Sequence, residues 1–416
     1  VTVAIPRPLF AGRAMAIVGI LLVAINLRTA VASISPIISL VSGDIPLDSV
    51  GIGLLGTLPP IVFAASGLLA PPVARRLGLE TTFVLACLAI VVGEVLRAVS
   101  QNFPTLLAGS AVSLAGMGFA NIMLPPAVKK YFPDRIGPVT AAYATLLAIS
   151  VSVPPLIAAP VAAAAGWRVS IGAWAVLGVL AVVPWLALRA TAARRTARDV
   201  EQNIVAAPPE LLGSMRHSRT AIALAVMFSV CALNTYAFFA WLPELVRDRA
   251  GSTPTEAGAL LFLFGIVGLP LALIAPLLAA RVRNVGTVIV TGVVMFVSGY
   301  LGLLLLPTVA TWLWVLLAGL GAIMFPLGLA LVGLRTRGPA GAVAVSGFAQ
   351  AIGYLSAALG PLLCGVLHDA TDGWTAPLLF LIAVSLVAII PAILLAKPRF
   401  VEDELAARGQ NVDRSV

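Results

Sequence analysis

Long apolar runs, separated by short polar breaks, fill almost the whole chain. A helix needs about 20 apolar residues to cross a bilayer. On that ruler the sequence divides into twelve apolar segments, at 14–41, 51–70, 82–100, 104–124, 138–165, 169–188, 220–242, 257–280, 286–306, 310–332, 340–366 and 375–396. The one long polar stretch, 189–219, runs from Arg189 through Pro208-Pro209 to Arg219 and carries the basic run Arg194-Arg195-Thr196-Ala197-Arg198. The pattern predicts an all-α membrane protein with twelve transmembrane helices in two pseudo-symmetric six-helix halves. Residues 1–188 hold spans 1–6, 189–219 form a cytoplasmic linker loop, 220–396 hold spans 7–12, and 397–416 are a cytoplasmic tail. Ala30-Val31-Ala32 resembles a signal-peptide cleavage site, but Asn26 and Arg28 interrupt the run before it and the run is too long, so span 1 is expected to be retained.

The halves repeat. Ala70-Pro71-x-x-Ala74-x-Arg76 after span 2 returns 205 residues later as Ala275-Pro276-x-x-Ala279-x-Arg281. Leu114-Ala115-Gly116-x-Gly118 in span 4 returns after 203 as Leu317-Ala318-Gly319-x-Gly321 in span 10. Pro155-Leu156 and Gly166-Trp167 return after 206 and 207 as Pro361-Leu362 and Gly373-Trp374. Parallel repeats of this kind describe a transporter architecture whose substrate site lies near mid-membrane. The pairs Pro59-Pro60, Pro71-Pro72, Pro125-Pro126 and Pro154-Pro155 are expected to kink or end helices. Gly116, Gly118, Gly319 and Gly321 should allow close helix approach. Gly51-Ile52-Gly53-Leu54-Leu55-Gly56 matches a dinucleotide-binding fingerprint, but that motif needs a preceding strand and here it opens a span. Packing is its expected role.

Composition agrees with the pattern. Of 416 residues, 60% are apolar and 10% charged, with mean hydropathy +1.07. Soluble domains hold about 45–50% apolar and 25% charged residues, and disordered chains lie further toward the polar extreme. Both classes are excluded. The net charge of +9 would suggest nucleic acid in a soluble protein. With the N-terminus placed in the cytoplasm, 21 of the 26 Lys and Arg fall on the cytoplasmic side, four at the outer side (Arg97, Arg168, Arg247, Arg249) and one, Arg28, within a span. That bias orients both termini inward, in the plasma membrane, and accounts for the charge without nucleic acid. Cys87, Cys231 and Cys364 are scattered in apolar runs and read as inert, with no metal-site spacing.

Ionisable groups deep in a span are costly and default to functional candidates. Arg28 lies about 21 Å along span 1 and has no acid in that span to pair with. It is either a fixed cation for an anionic substrate or a packing residue on helix-end carbonyls. Further candidate substrate contacts are Asn26, Asn121, Tyr143, Asn234, Tyr236, Gln350 and Tyr354, of which Gln350 and Tyr354 form a stripe with Ser346. That stripe reads equally as interhelical glue. Glu94 and Arg97, three apart, should pair; Glu94 and His368 are the candidates for proton coupling. Arg75, Arg76, Lys129, Lys130 and Arg281 are candidates for cytoplasmic gating. The chain lacks HExxH and P-loop motifs and an intramembrane acid pair, which disfavours an embedded enzyme and ATP-driven transport; no cofactor or metal is expected.

Three segments carry a family resemblance. Span 1 has Asn26-Leu27-Arg28 followed by Ser35-Pro36. Spans 4–5 have Asn121-Ile122-Met123-Leu124-Pro125 and then Val128-Lys129-Lys130-Tyr131-Phe132-Pro133. Span 7 ends in Tyr236 and Trp241-Leu242-Pro243. Together they resemble the cyanate and 2-nitroimidazole permease family of the major facilitator transporters, over nearly the whole chain. The resemblance implies a secondary active transporter moving a small anionic or electron-rich solute by alternating access, with Asn26 and Arg28 near the substrate. The expected partners are that solute and the bilayer, with the protein acting as a monomer; a co-transported proton, exchange and export stay open as alternatives for coupling. A proton-coupled drug antiporter of the same fold is the alternative; such proteins usually carry a buried acid, whereas this chain offers Arg28. Pro71 stands where the superfamily's loop after span 2 has Asp, so an Asp-based latch must here be built differently.

Overall fold

In the computed structural model, residues 13–192 and 214–413 are described; Arg7, Arg414 and the basic run Arg194-Arg195-Thr196-Ala197-Arg198 lie outside them. Among the described residues every regular element is helical. Twelve segments are long and apolar enough to span a membrane, from Ala14–Asp44, Ser49–Leu77 and Leu79–Ala98 to Gly341–Thr371 and Thr375–Leu395. Each corresponds to one of the twelve expected spans.

The chain forms two compact units, one of residues 1–47 and 62–204 and the other of 48–61 and 205–416. In the first, Ile20, Val23 and Leu27 of span 1 pack in a buried core with Phe83, Met123, Leu124, Phe132 and Trp185. Trp185 stacks on Phe83 at 3.8 Å between centroids. Spans 3 and 4 lie close together, because a Cβ at Gly93 would collide with the Ser113 backbone and one at Gly116 with the Ala86 carbonyl. Small residues at such seams let helices gain dispersion contact where lipid offers no hydrophobic driving force.

In the second unit, span 7 (Arg219–Ala250) runs along span 11 with Gly353 against Phe228 and Gly360 against Leu233. The 48–61 segment packs on the same pair. Added Cβ atoms at Gly53 and Gly56 would press on Pro361 and, for Gly56, on Ala240. Thr57 Oγ1 donates to the carbonyls of Gly53 (2.8 Å) and Ala358 (2.9 Å). The dinucleotide-like glycine motif is therefore a helix-packing surface.

The repeated Gly-Trp has a structural use in each unit. Trp167 Nε1 donates to Asp44 at 2.9 Å, and Trp374 Nε1 donates to Asp248 at 2.9 Å. Each ties the start of a sixth helix to the end of the first helix of its own repeat.

The proline pairs do not end helices. Ser49–Leu77, Phe103–Tyr131 and Ile136–Ala165 run through all four pairs. Membrane bundles tolerate this when neighbours satisfy the freed carbonyls. Breaks fall elsewhere, at Leu27-Arg28, Ser33-Ile34, Ala173-Trp174, Val267, Ala322-Ile323 and Ala388. The tail also departs from expectation, because Val401–Asp413 is a helix docked on the second unit. Arg337 donates through Nε and Nη2 to Asp403, both at 2.9 Å, while Glu404 accepts from Ser218 Oγ (2.6 Å), Thr220 N (3.0 Å) and Thr220 Oγ1 (2.9 Å).

Candidate substrate site at the break in span 1

Span 1 is built in pieces, Ala14–Asn26, Thr29–Ala32, a tight turn at Ser35–Ile37, and Ile38–Asp44. Leu27 is fully buried in the core of the first unit and Arg28 follows it outside helical geometry, with φ −132° and ψ 2°. The guanidinium carbon of Arg28 lies 4.4 Å from the centroid of the Phe63 ring, a cation–π contact. Its Nη1 is buried without a hydrogen-bond partner, as are Asn26 Oδ1, Ser33 Oγ and Ser35 Oγ. Asn26 spends its other polar atom locally, Nδ2 donating to Leu22 O at 2.7 Å. Leaving buried polar atoms unpaired costs about 1–3 kcal/mol each, more for charged groups. Four of them fall within ten residues of one broken span, which makes this stretch the candidate for binding a ligand. Gly118 of span 4 supports this arrangement, since a Cβ there would collide with Ser66 and press on Phe63, the ring beneath Arg28.

Glu94 and Arg97 are arranged in the opposite way. They are 0% and 1% exposed, and Arg97 Nη1 donates to Glu94 Oε2 at 2.9 Å. Arg97 Nη2 donates to Ala30 O at 3.2 Å, and Ser113 Oγ donates to the other Glu94 oxygen at 2.8 Å. Both carboxylate oxygens are taken, which is the geometry of a structural clamp joining spans 1, 3 and 4. Asn121 is half-buried in span 4, and Tyr143 packs beside the core of the first unit.

In the second unit, Asn234 is fully buried, and its Oδ1 accepts from Tyr300 (2.8 Å) and Ser385 (3.2 Å) while Nδ2 donates to Val230 O (2.8 Å). These bonds tie spans 7, 9 and 12 together and use both lone pairs of its oxygen, an environment of interhelical glue. Tyr236 and Tyr354 meet edge to face at 6.4 Å, and Gln350 Nε2 donates to Ser346 Oγ at 2.6 Å along the stripe. His368 stacks on Trp241 and leans on Trp374, with Nδ1 3.8 Å from Asp369. Trp241 itself is buried, its indole donating to Pro361 O at 2.8 Å.

Of the basic gating candidates, Lys130 pairs with Glu80 at 2.7 Å, and Tyr131 OH also donates to Glu80. Arg75, Arg76, Lys129 and Arg281 are exposed and form no ion pair among the described residues. Glu80, Phe63 and Ser113 are absent from the sequence reading. Glu80 sits near a helix end and the other two look like ordinary span residues, so only the tertiary contacts reveal them. Among the described residues no three His, Cys, Asp or Glu converge as metal ligands, and the three cysteines are buried and free.

Comparison with known proteins agrees with this organisation. The model of the Major Facilitator Superfamily matches residues 17–321. The 2-nitroimidazole transporter of Escherichia coli (strain K12) is 30% identical over 380 residues, covering 91% of this chain and 94% of its own. An uncharacterized transporter of Bacillus subtilis (strain 168), YycB, is 30% identical, covering 89% and 90%. The cyanate transport protein CynX of Escherichia coli (strain K12) is 23% identical, covering 85% and 90%. A bacterial homolog to the human lysosomal transporter Spinster shares the fold at TM-score 0.70 and 14% identity, covering 95% of this chain and 97% of that one. Twelve apolar helices, an internal repeat and relatives matched nearly end to end converge on one assignment: this multi-pass membrane chain belongs to the Major Facilitator Superfamily, among its transporters of small solutes.

Proposed function

We propose that the chain carries a small anionic or electron-rich solute, of the cyanate, carboxylate or nitroheterocycle class, across the plasma membrane by alternating access, with Arg28 as the group that holds it. The observation carrying this reading is the buried Nη1 of Arg28, unpartnered at a break in span 1 and backed by Phe63. A guanidinium stays charged at all working pH values and presents a planar fork of donors to a planar acceptor. Phe63 covers one face of that fork, leaving its N–H edge as the donor surface. Asn26, also at the break, supplies an unspent acceptor for a substrate N–H or O–H. Relatives whose names carry 2-nitroimidazole and cyanate fit the same chemistry. The bias of 21 cytoplasmic Lys and Arg against four at the outer side supports cytoplasmic termini.

The test is thermal unfolding of the purified protein with cyanate, benzoate or 2-nitroimidazole. A ligand at about 100 times its Kd adds about 2.7 kcal/mol of stability. At least one of the three should stabilise the wild type, and Arg28→Ala should fold yet lose that shift. Arg28→Lys should keep only part of it, having the charge without the fork. An Arg28→Ala protein stabilised as strongly as wild type would remove Arg28 from the site.

A further inference from the structure

A second site lies in the other unit, far along the sequence from Arg28. A groove of about 800 Å³ opens where spans 7 and 9 begin and span 12 ends. Arg219, Lys397 and Arg399 stand in its lining with Asn284, Thr287 and Thr291, and Val290, Ile393 and Leu394 complete it. The three cations are exposed and none forms an ion pair among the described residues. Glu404 is the nearby acid and is close enough for Arg399 to act on it, but its carboxylate is already bonded to Ser218 and Thr220. The apolar members are among the exposed hydrophobics of the bundle, Ile393 at 70%, Val290 at 42% and Leu394 at 41%. In a membrane span such exposure means contact with acyl chains.

From this arrangement we propose that the groove binds an anionic phospholipid, its phosphate headgroup on Arg219, Lys397 and Arg399 and its acyl chains along Val290, Ile393 and Leu394. Basic pockets between helices at the cytoplasmic face suit anionic headgroups, and each cation near such a surface is worth roughly a fivefold gain in affinity. Free phosphate shares the headgroup chemistry, yet it would leave the apolar lining and most of the volume unused. The amphipathic shape of the groove selects the lipid. This inference needs only the membrane-spanning fold, so it stands or falls independently of Arg28.

Native mass spectrometry of the detergent-purified full chain tests it, with phosphatidylglycerol, phosphatidylcholine and inorganic phosphate as probes. Wild type should retain phosphatidylglycerol in preference to phosphatidylcholine, and an equal concentration of phosphate should not displace it. The triple variant R219Q/K397Q/R399Q should lose at least about tenfold in phosphatidylglycerol affinity, with phosphatidylcholine binding unchanged. Thr291→Trp fills the groove from an exposed position while keeping every cation, and should weaken phosphatidylglycerol as well. Thr291→Trp decides the matter if the triple variant does not fold. Wild-type affinity in either folded variant would overturn the proposal, as would equal binding of the two lipids or displacement by phosphate.

Discussion

Two arginines of the same unit, Arg97 fully buried and Arg28 half-buried, show how differently a membrane protein can treat one charge. Arg97 is closed on Glu94 and Ala30, and Ser113 completes the carboxylate, so the charge is neutralised inside the bundle. Arg97 leaves only Nε unpaired, whereas Arg28 has an aromatic face, a buried unpartnered Nη1 and no carboxylate against it among the described residues. The first arrangement holds helices together, and the second is the one expected of a group that meets a ligand. Glu94→Gln should therefore cost about 3–5 kcal/mol by stranding Arg97. Adding Arg97→Gln should restore much of that loss, because two neutral amides can bond each other. Arg28→Ala should cost about 1 kcal/mol or less, since it removes no completed bond. Unfolding in detergent, read as a double-mutant cycle for the Glu94–Arg97 pair, measures all of this. A Glu94→Gln protein as stable as wild type would show that the clamp carries no load. Sequence spacing alone pairs Glu94 with Arg97, because three residues make one helix face. It cannot supply Ser113 or Ala30, which arrive from other spans, and so cannot say that Glu94 is spent.

Elements show the same division between what local pattern carries and what contacts decide. Twelve spans are legible because the bilayer imposes a length and an apolar composition on each. Helix breaks are not, since Pro125-Pro126 lies within a continuous helix while Leu27-Arg28, with no proline or glycine, interrupts one. The repeat of Gly166-Trp167 in Gly373-Trp374 is visible in sequence, but its carboxylate partners Asp44 and Asp248 appear only in space. Val401–Asp413 is the clearest omission, because a short polar stretch reads as a tail until Arg337, Ser218 and Thr220 are brought to it. Its docking depends on pH in a defined direction. Hydrogen bonds from Arg337 hold the Asp403 carboxyl below its ordinary value. Burial alone would raise Glu404, but bonds from Ser218 and Thr220 outweigh it and leave that carboxyl lowered too. Depressed carboxyls contribute stability that is fully present above their unfolded values, about 3.9 for Asp and 4.3 for Glu, and that is lost as pH falls through the folded ones. Amide exchange of 401–413, corrected for intrinsic rates, should stay protected from pH 8 to about 5 and lose protection below about pH 4. Arg337→Gln should move that loss to higher pH. Protection unchanged at about pH 3 would mean that the carboxylates do not hold the helix.

At the scale of the whole molecule, the charges that remain free set the expectation for how the proposed transport couples to the membrane's energy. Glu94, in span 3, is occupied by Arg97 and Ser113, whereas Glu244, toward the end of span 7, keeps a buried carboxylate oxygen without a hydrogen-bond partner. Glu80, near the start of span 3, is engaged by Lys130 and Tyr131. His368 lies toward the end of span 11, packed against Trp241 and Trp374. Among the described residues of its own unit, the acids Asp44, Glu80, Glu94 and Asp134 are each engaged by a basic side chain, so a cation at the candidate site can neutralise a bound anion without a neighbouring carboxylate to carry a proton with it. The expected outcome is electrogenic movement of a monoanion. An inside-negative potential then favours export, by about 2.3 kcal/mol per 100 mV, or roughly 50-fold in the equilibrium concentration ratio. Proteoliposomes clamped with potassium and valinomycin should show that displacement for a monoanionic substrate and none for an uncharged nitroheterocycle. A pH gradient at zero potential should drive no accumulation, and His368→Asn should leave the potential dependence intact. Accumulation driven by the pH gradient alone would make the transporter a proton symporter, and its loss in Glu244→Gln, His368→Asn or Glu94→Gln would then identify the carrier.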